Sequence, residues 1–100
     1  MRALVSLSLA AGILTAGSAA AQAEDHKEMA FSAAIASACM YRVDVAKMQR
    51  RIGTMPTRRQ EAADTFAASM VAFEASDDQM RRAFCEVGCD TANRHGIIAR

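Results

Sequence analysis

The longest helical pattern in this chain runs from about residue 27 to residue 52, a stretch that contains neither glycine nor proline. Apolar side chains recur there at the 3.6-residue spacing of an α-helix, which directs one face toward a core. That face comprises Phe31, Ile35, Ala38, Val45 and Ile52, with Ala34 and Ala46 beside them. The opposite face comprises Ala33, Met40, Asp44, Lys47 and Arg51. The pattern predicts one continuous helix over 27–52, long enough to be the spine of a small domain.

A turn at residues 53–57 separates this helix from a second one. Gly53 is a natural position for a helix to end, because glycine adopts the left-handed conformation readily. Pro56 holds the residue before it extended, so the first helix cannot continue through it. Thr57 and Gln60 have the spacing of a capping box. We therefore predict a second helix over 58–75, forming a helical hairpin with the first.

A third helix is predicted after a second start signal. Ser76 and Gln79 have the spacing of another capping box and are followed by an apolar-periodic run. This pattern predicts a helix over 77–87 that ends at Gly88, followed by a tail over 89–100. No segment alternates convincingly between apolar and polar residues at period two. The fold class is therefore expected to be all-α: a small three-helix domain with a long hairpin and a shorter third helix.

The first 23 residues have the order of a secretory signal peptide. Arg2 supplies a positive charge, residues 4–16 are largely apolar, and the segment ends in Ala21-Gln22-Ala23. The apolar part is short and weakly hydrophobic beside a membrane span of ~20 apolar residues, although retention as an anchor is the alternative. We expect cleavage after Ala23, which leaves 24–100 as one periplasmic or secreted domain without a stable membrane span.

The charges are nearly balanced, with 12 basic and 11 acidic residues. Such a balance does not favour nucleic acid as a partner. Three arginine pairs are interpreted as solvated helix faces with local ion pairs: Arg50-Arg51, Arg58-Arg59 and Arg81-Arg82. The chain has no Cys-x-x-Cys, no glycine-rich phosphate loop and no Gly-x-Ser-x-Gly motif. We therefore expect neither an enzyme nor a bound cofactor.

Three cysteines, Cys39, Cys85 and Cys89, lie in a chain expected to reach an oxidising compartment. A disulfide from Cys39 to either of the others would tie the first helix to the last. It would close a loop of about 47 residues, which the chain-entropy model scores at about 4 kcal/mol. A Cys85–Cys89 bridge at a turn broken by Gly88 is the alternative. One thiol remains in every case, and an intermolecular bridge could make a homodimer.

Two further hypotheses concern ligands. Arg42 interrupts the apolar face of the first helix, so either its stem packs there while its head reaches the rim or an acid, or it contacts an anionic partner. The metal hypothesis combines Cys85, Cys89 and His95, with Cys39 as a fourth ligand for zinc or with methionines for copper. The favoured function is a non-catalytic binding, interaction or envelope-stress protein that binds an unknown protein partner or a second copy of itself. Periplasmic handling of copper or zinc is the alternative.

Overall fold

The computed structural model describes residues 25–99 and is all-helical. Four helices follow one another: α1 over 25–38, α2 over Val45–Ile52, α3 over Pro56–Glu74 and α4 over Asp78–Arg94. No β-strand occurs within these residues; one isolated antiparallel bridge joins Val43 to Ile98. The all-α prediction is confirmed, but the count of three helices is wrong. The predicted signal peptide, residues 1–23, lies outside the described residues.

Helix α1 is the centre of the fold. It contributes most of the fully buried apolar side chains, each at most 1% exposed: Met29, Ala30, Ala33, Ala34, Ile35 and Ala36. The buried positions 29, 30 and 32–36 cover more than one face of α1, so other elements pack around this part of the helix. Ala33, which the periodicity places on the outer face, is therefore inside. Ser32 is also fully buried, and its hydroxyl donates to the carbonyl oxygen of Met29 at 3.0 Å.

The predicted continuous helix over 27–52 is wrong, because the chain leaves the helix after residue 38. Met40 has a φ of 71°, in the left-handed region, and the N–H of Tyr41 donates to the carbonyl of Ala36 at 2.9 Å. This is a left-handed helix ending made without glycine. Asp44 then caps α2 by accepting from the N–H of Lys47 at 3.0 Å. As a result Val45, predicted to face the core, is 51% exposed.

The turn between α2 and α3 lies where the sequence predicts it. Gly53 has a φ of 86°, and Pro56 is the first residue of α3. The predicted hairpin is thus formed by α2 and α3, although α2 has only eight residues. The expected capping box at Thr57 is absent: the N-cap residue is Met55, whose side chain makes no capping hydrogen bond.

Helix α4 is longer than predicted. Asp77 caps it by accepting from the N–H of Met80 at 2.8 Å. The predicted cap at Ser76 is therefore wrong; its hydroxyl donates to the carbonyl of Ala72 at 2.7 Å. The helix then passes through Gly88 and ends at Arg94, so the predicted end at residue 87 is wrong. Gly88 is buried, and a Cβ there would lie only 2.3 Å from Cγ2 of Ile35. Glycine is therefore needed at this position for the close approach of α4 to α1, and it does not end the helix.

The α3–α4 corner is held by an arginine and three aromatic rings. Arg81 donates from Nε to the carbonyl of Phe73 at 3.1 Å and from Nη2 to that of Glu74 at 2.7 Å. The bond to Glu74 satisfies a carbonyl group in the last turn of α3, while the carbonyl of Phe73 also accepts from the N–H of Ser76 at 3.1 Å. The ring of Phe84 lies 6.4 Å from those of both Phe31 and Phe73. Arg81, interpreted from sequence as solvated, is thus a structural residue.

The segment after α4 packs back onto the domain. Ile97 is fully buried, and its carbonyl accepts from the N–H of Asp44 at 2.7 Å. The N–H of Ala99 donates to the carbonyl of Arg42 at 2.8 Å. Residues 97–99 therefore lie along the link between α1 and α2. Within residues 25–99, no helix has the length and apolar character needed to cross a membrane.

Candidate functional site

The disulfide joins Cys39, just after α1, to Cys85 in α4, with a Cα–Cα distance of 5.8 Å. It is one of the two pairings with Cys39 that the sequence analysis favoured. It ties α4 to the end of the central helix, on the side of the domain where the chain turns away from α1. Because both sulfurs are in the bridge, neither is a free thiol in this structure.

Cys89 is the free cysteine of the described residues and is half-buried one turn after Cys85. It lines a depression together with Tyr41, Asp90, Asn93 and Ile98. Burial raises the pKa of the Cys89 thiol, so less of it is thiolate at neutral pH than for an ordinary cysteine. A thiol of this kind is a weak nucleophile and a weak metal ligand.

His95, the third member of the predicted metal set, is held by carboxylates. Its Nε2 lies 2.9 Å from Oε1 of Glu28, and its Nδ1 lies 3.6 Å from Oδ1 of Asp25. Arg51 adds a hydrogen bond to the carbonyl of His95 and an ion pair to Asp25 at 3.4 Å. Nowhere in residues 25–99 do three His, Cys, Asp or Glu side chains come together as metal ligands. With Cys85 in the disulfide, the metal hypothesis stays a prediction about the reduced protein.

Arg42 lies in the link between α1 and α2 and is exposed. It therefore does not interrupt the face of a continuous helix, which was the premise of its interpretation. Its backbone carbonyl accepts the hydrogen bond from Ala99. Its proposed contact with an anionic partner stays a prediction.

A second polar cluster joins the start of α1 to α3. His26 has a side chain that is 5% exposed, and its Nε2 lies 3.5 Å from Oε1 of Glu61. Neither ring nitrogen of His26 makes a hydrogen bond within the described residues. Lys27 Nζ lies 3.2 Å from Oε2 of Glu61, and this hydrogen-bonded contact is the main reason why the pKa of Glu61 is lowered. The cluster orients α1 on α3.

A concave site partly open to solvent, which we call the interhelical pocket, lies between α1, α2 and α3. Its volume is about 350 Å3, the same as that of the depression beside Cys89. Its lining residues are Ala30, Met48, Gln49, Ile52, Arg59, Ala62, Ala63 and Phe66. The space exists because α1 and α3 present alanines where larger side chains would meet. Met48 and Ile52 of α2 form one apolar wall, and Phe66 of α3 closes another.

Two polar side chains, Gln49 and Arg59, stand among the lining residues, and none of the lining residues is acidic. Arg59 is exposed and donates from Nε to the carbonyl of Gly53 at 3.0 Å. This bond fixes the guanidinium beside the turn that joins α2 to α3. Its four Nη hydrogens make no hydrogen bond or ion pair within residues 25–99. They are thus available for an anionic group at the edge of an apolar cavity.

The sequence did not identify this pocket. Ala62 and Phe66 were recognisable as an apolar stripe on the second predicted helix, but Arg59 was interpreted as one member of a solvated pair. The alanines of this helix indicated a close approach to the first helix, but no sequence signal separated Arg59 from the other arginines. No family model, characterised protein or solved structure matches this chain.

Proposed function

We propose that this chain is a small, exported, non-catalytic binding protein whose ligand occupies the interhelical pocket. The observation that supports this proposal is the volume and the lining of the pocket. A cavity of about 350 Å3 lies in the size range of small-molecule sites. Its lining is mostly apolar with a few polar groups, which is the usual composition of such sites. Its walls come from three helices packed on one core, so the cavity exists before any ligand arrives.

Export is supported by two independent features. The first 23 residues have the charge, apolar and small-residue order of a signal peptide. The Cys39–Cys85 disulfide is typical of proteins in oxidising compartments. We therefore expect the periplasm or the secreted fraction of the native host to contain residues 24–100 with this bridge formed. An intact mass that retains residues 1–23, or three alkylatable thiols in the exported protein, would contradict this part.

The binding proposal is tested by NMR of methionine methyl groups in the oxidised mature protein, with 1-octanol as a neutral probe. Met48 lines the pocket, whereas Met80 is exposed on α4 and takes no part in the lining. We expect 1-octanol to shift the Met48 signal saturably and to leave the Met80 signal unchanged. An apolar chain entering the cavity displaces water from an apolar wall, which is the driving force for binding.

A pair of matched variants locates the site. Ala63 is exposed and lines the pocket; Ala67 is exposed one turn later on the same helix and does not. We expect Ala63→Phe to weaken binding of 1-octanol by about tenfold or more, since the ring removes room for an apolar probe. Ala67→Phe should leave binding unchanged. If neither variant changes the Met48 response, or if Met48 does not respond at all, the pocket is not the binding site.

A further inference from the structure

The single charged group in the lining of the interhelical pocket, the guanidinium of Arg59, favours a negatively charged ligand. The pocket offers a guanidinium and an amide, Arg59 and Gln49, and no carboxylate among its lining residues. A cation would meet the positive charge of Arg59 without a compensating acid. A carboxylate could accept two hydrogen bonds from the Nη atoms, which a guanidinium presents in a fork that matches it.

The surroundings of Arg59 carry the same sign. Two arginines, Arg50 and Arg51, stand in the last turn of α2, and Arg58 precedes Arg59 in α3. Arg51 is engaged by Asp25, but the side chains of Arg50 and Arg58 make no hydrogen bond or ion pair within residues 25–99. The first turn of α3 has no acidic residue. The turn beside the pocket therefore has a positive potential that favours an anion.

Two acids follow Arg59 closely in sequence. The charge of Glu61 is offset by Lys27 at 3.2 Å, whereas Asp64 keeps its charge, because the group that donates to it at 2.8 Å is the neutral amide of Gln60. Neither acid belongs to the lining of the pocket. Arg59 is thus the one charged group of the lining. It lies at the turn, so the charge is at the edge of the pocket and the rest of the lining is mostly apolar.

The volume of the pocket, which is partly open to solvent, indicates the size of the apolar group that it can cover. At ~30 Å3 for each water-sized group, about 350 Å3 holds on the order of ten heavy atoms. That is enough for one short acyl chain and too little for the two chains of a phospholipid. Resting on the proposed binding function, we infer that the ligand is a free medium-chain monocarboxylic acid. Its chain occupies the cavity, and its carboxylate lies on the guanidinium of Arg59.

The experiment compares octanoate with 1-octanol, which has the same chain length and no charge. Binding to the oxidised mature protein is measured by calorimetry and by the Met48 methyl signal. We expect octanoate to bind about tenfold or more tightly than 1-octanol, because a hydrogen bond between charged groups adds to the apolar contact. Shortening the acid to hexanoate should weaken binding by about fourfold for each methylene removed.

Variants that change the charge at Arg59 distinguish the contribution of the carboxylate to binding from that of the apolar chain. Arg59→Gln should weaken octanoate by about tenfold or more and leave 1-octanol unchanged. Arg82→Gln is the control, since Arg82 is exposed on α4 and outside the pocket lining. Thermal unfolding of both variants checks that loss of the Arg59–Gly53 hydrogen bond leaves the fold intact. Arg59→Lys keeps the charge without the fork, so we expect it to recover part of the octanoate affinity.

The outcomes distinguish this inference from the proposed function. Equal binding of octanoate and 1-octanol, unaffected by Arg59→Gln, would overturn the carboxylate ligand and leave the pocket as a binding site. No binding of either probe would overturn both. Binding to vesicles of anionic phospholipid, with no binding of octanoate, would make the partner a membrane surface and would also overturn the inference.

Discussion

The contact between Gly88 and Ile35 makes a sharp prediction about stability. An alanine at position 88 would place its methyl 2.3 Å from Cγ2 and 2.6 Å from Cβ of Ile35. Carbon atoms in favourable contact lie about 3.5–4.0 Å apart, so the gap must widen by more than ~1 Å. Ile35 is fully buried and branched at Cβ, which leaves it little rotamer freedom. Its Cβ is fixed by the backbone of α1, so α4 itself has to move.

The magnitude follows from two opposing effects. Inserting a methyl into a packed core costs about 1–3 kcal/mol, and two contacts this short place the cost near the upper end. Alanine is a better helix former than glycine by about 0.8–1.0 kcal/mol, which offsets part of that cost. We therefore expect Gly88→Ala to lower the free energy of unfolding by about 2 kcal/mol, corresponding to a fall of ~10 °C in Tm.

The assay is urea unfolding of the oxidised mature protein, followed by circular dichroism. Val87→Ala is the matched control: Val87 is the neighbouring residue on α4, it is 58% exposed, and its replacement creates no clash. We expect this control to change stability by less than ~0.5 kcal/mol. If Gly88→Ala proved as stable as the wild type, the close approach of α4 to α1 would be wrong, and the glycine would need another explanation.

Two further predictions concern the bridge and the α1–α3 cluster. Replacing Cys39 and Cys85 together by serine should lower the free energy of unfolding, measured in urea, by about 4 kcal/mol. The control variant Cys89→Ser should leave it nearly unchanged. A double variant as stable as the wild type would refute a stabilising role for the Cys39–Cys85 disulfide. The lowered pKa of Glu61 means that its contribution to stability is present above the ordinary value of 4.5 and is lost as pH falls through the lowered pKa. Lys27→Gln should raise that pKa, as measured by carboxyl NMR titration, and make the acid-side loss of stability shallower; an unchanged titration would contradict the pairing.

Helix boundaries could be predicted from the sequence where nearby residues such as glycine, proline or a capping side chain mark them. Gly53 and Pro56 mark the first turn clearly. The second break was predicted from a capping box at Ser76, where a continuous helix was also possible, and the residue that caps α4 is Asp77. The break after residue 38 was not predicted, because Met40 adopts the left-handed conformation without being glycine. The cap at Asp44 is a local signal that the long periodic pattern obscured.

Other features depend on contacts that no local pattern contains. From the sequence, Gly88 was predicted to end a helix. The structure shows that it lies within α4, where the nearby side chain of Ile35 leaves no room for a Cβ. The sequence left two possible disulfide partners for Cys39, namely Cys85 and Cys89. The pairing with Cys85 depends on how α4 packs against the end of α1. The interhelical pocket depends on three helices meeting at alanines, so Arg59 could not be distinguished in advance from the other arginines.

The burial of Ile97 against the α1–α2 link has a consequence for the order of events in folding. As the chain is synthesised, α1 is made before every element that buries it, and residues 97–99 are made after all of them. The partners of α1 therefore become available in turn. The contacts with Glu61 of α3 can form early, whereas burial by α4 and Ile97 waits for the end of synthesis, since contacts distant in sequence form only after their loops close. The core around α1 is therefore complete only when residues 97–99 have been made.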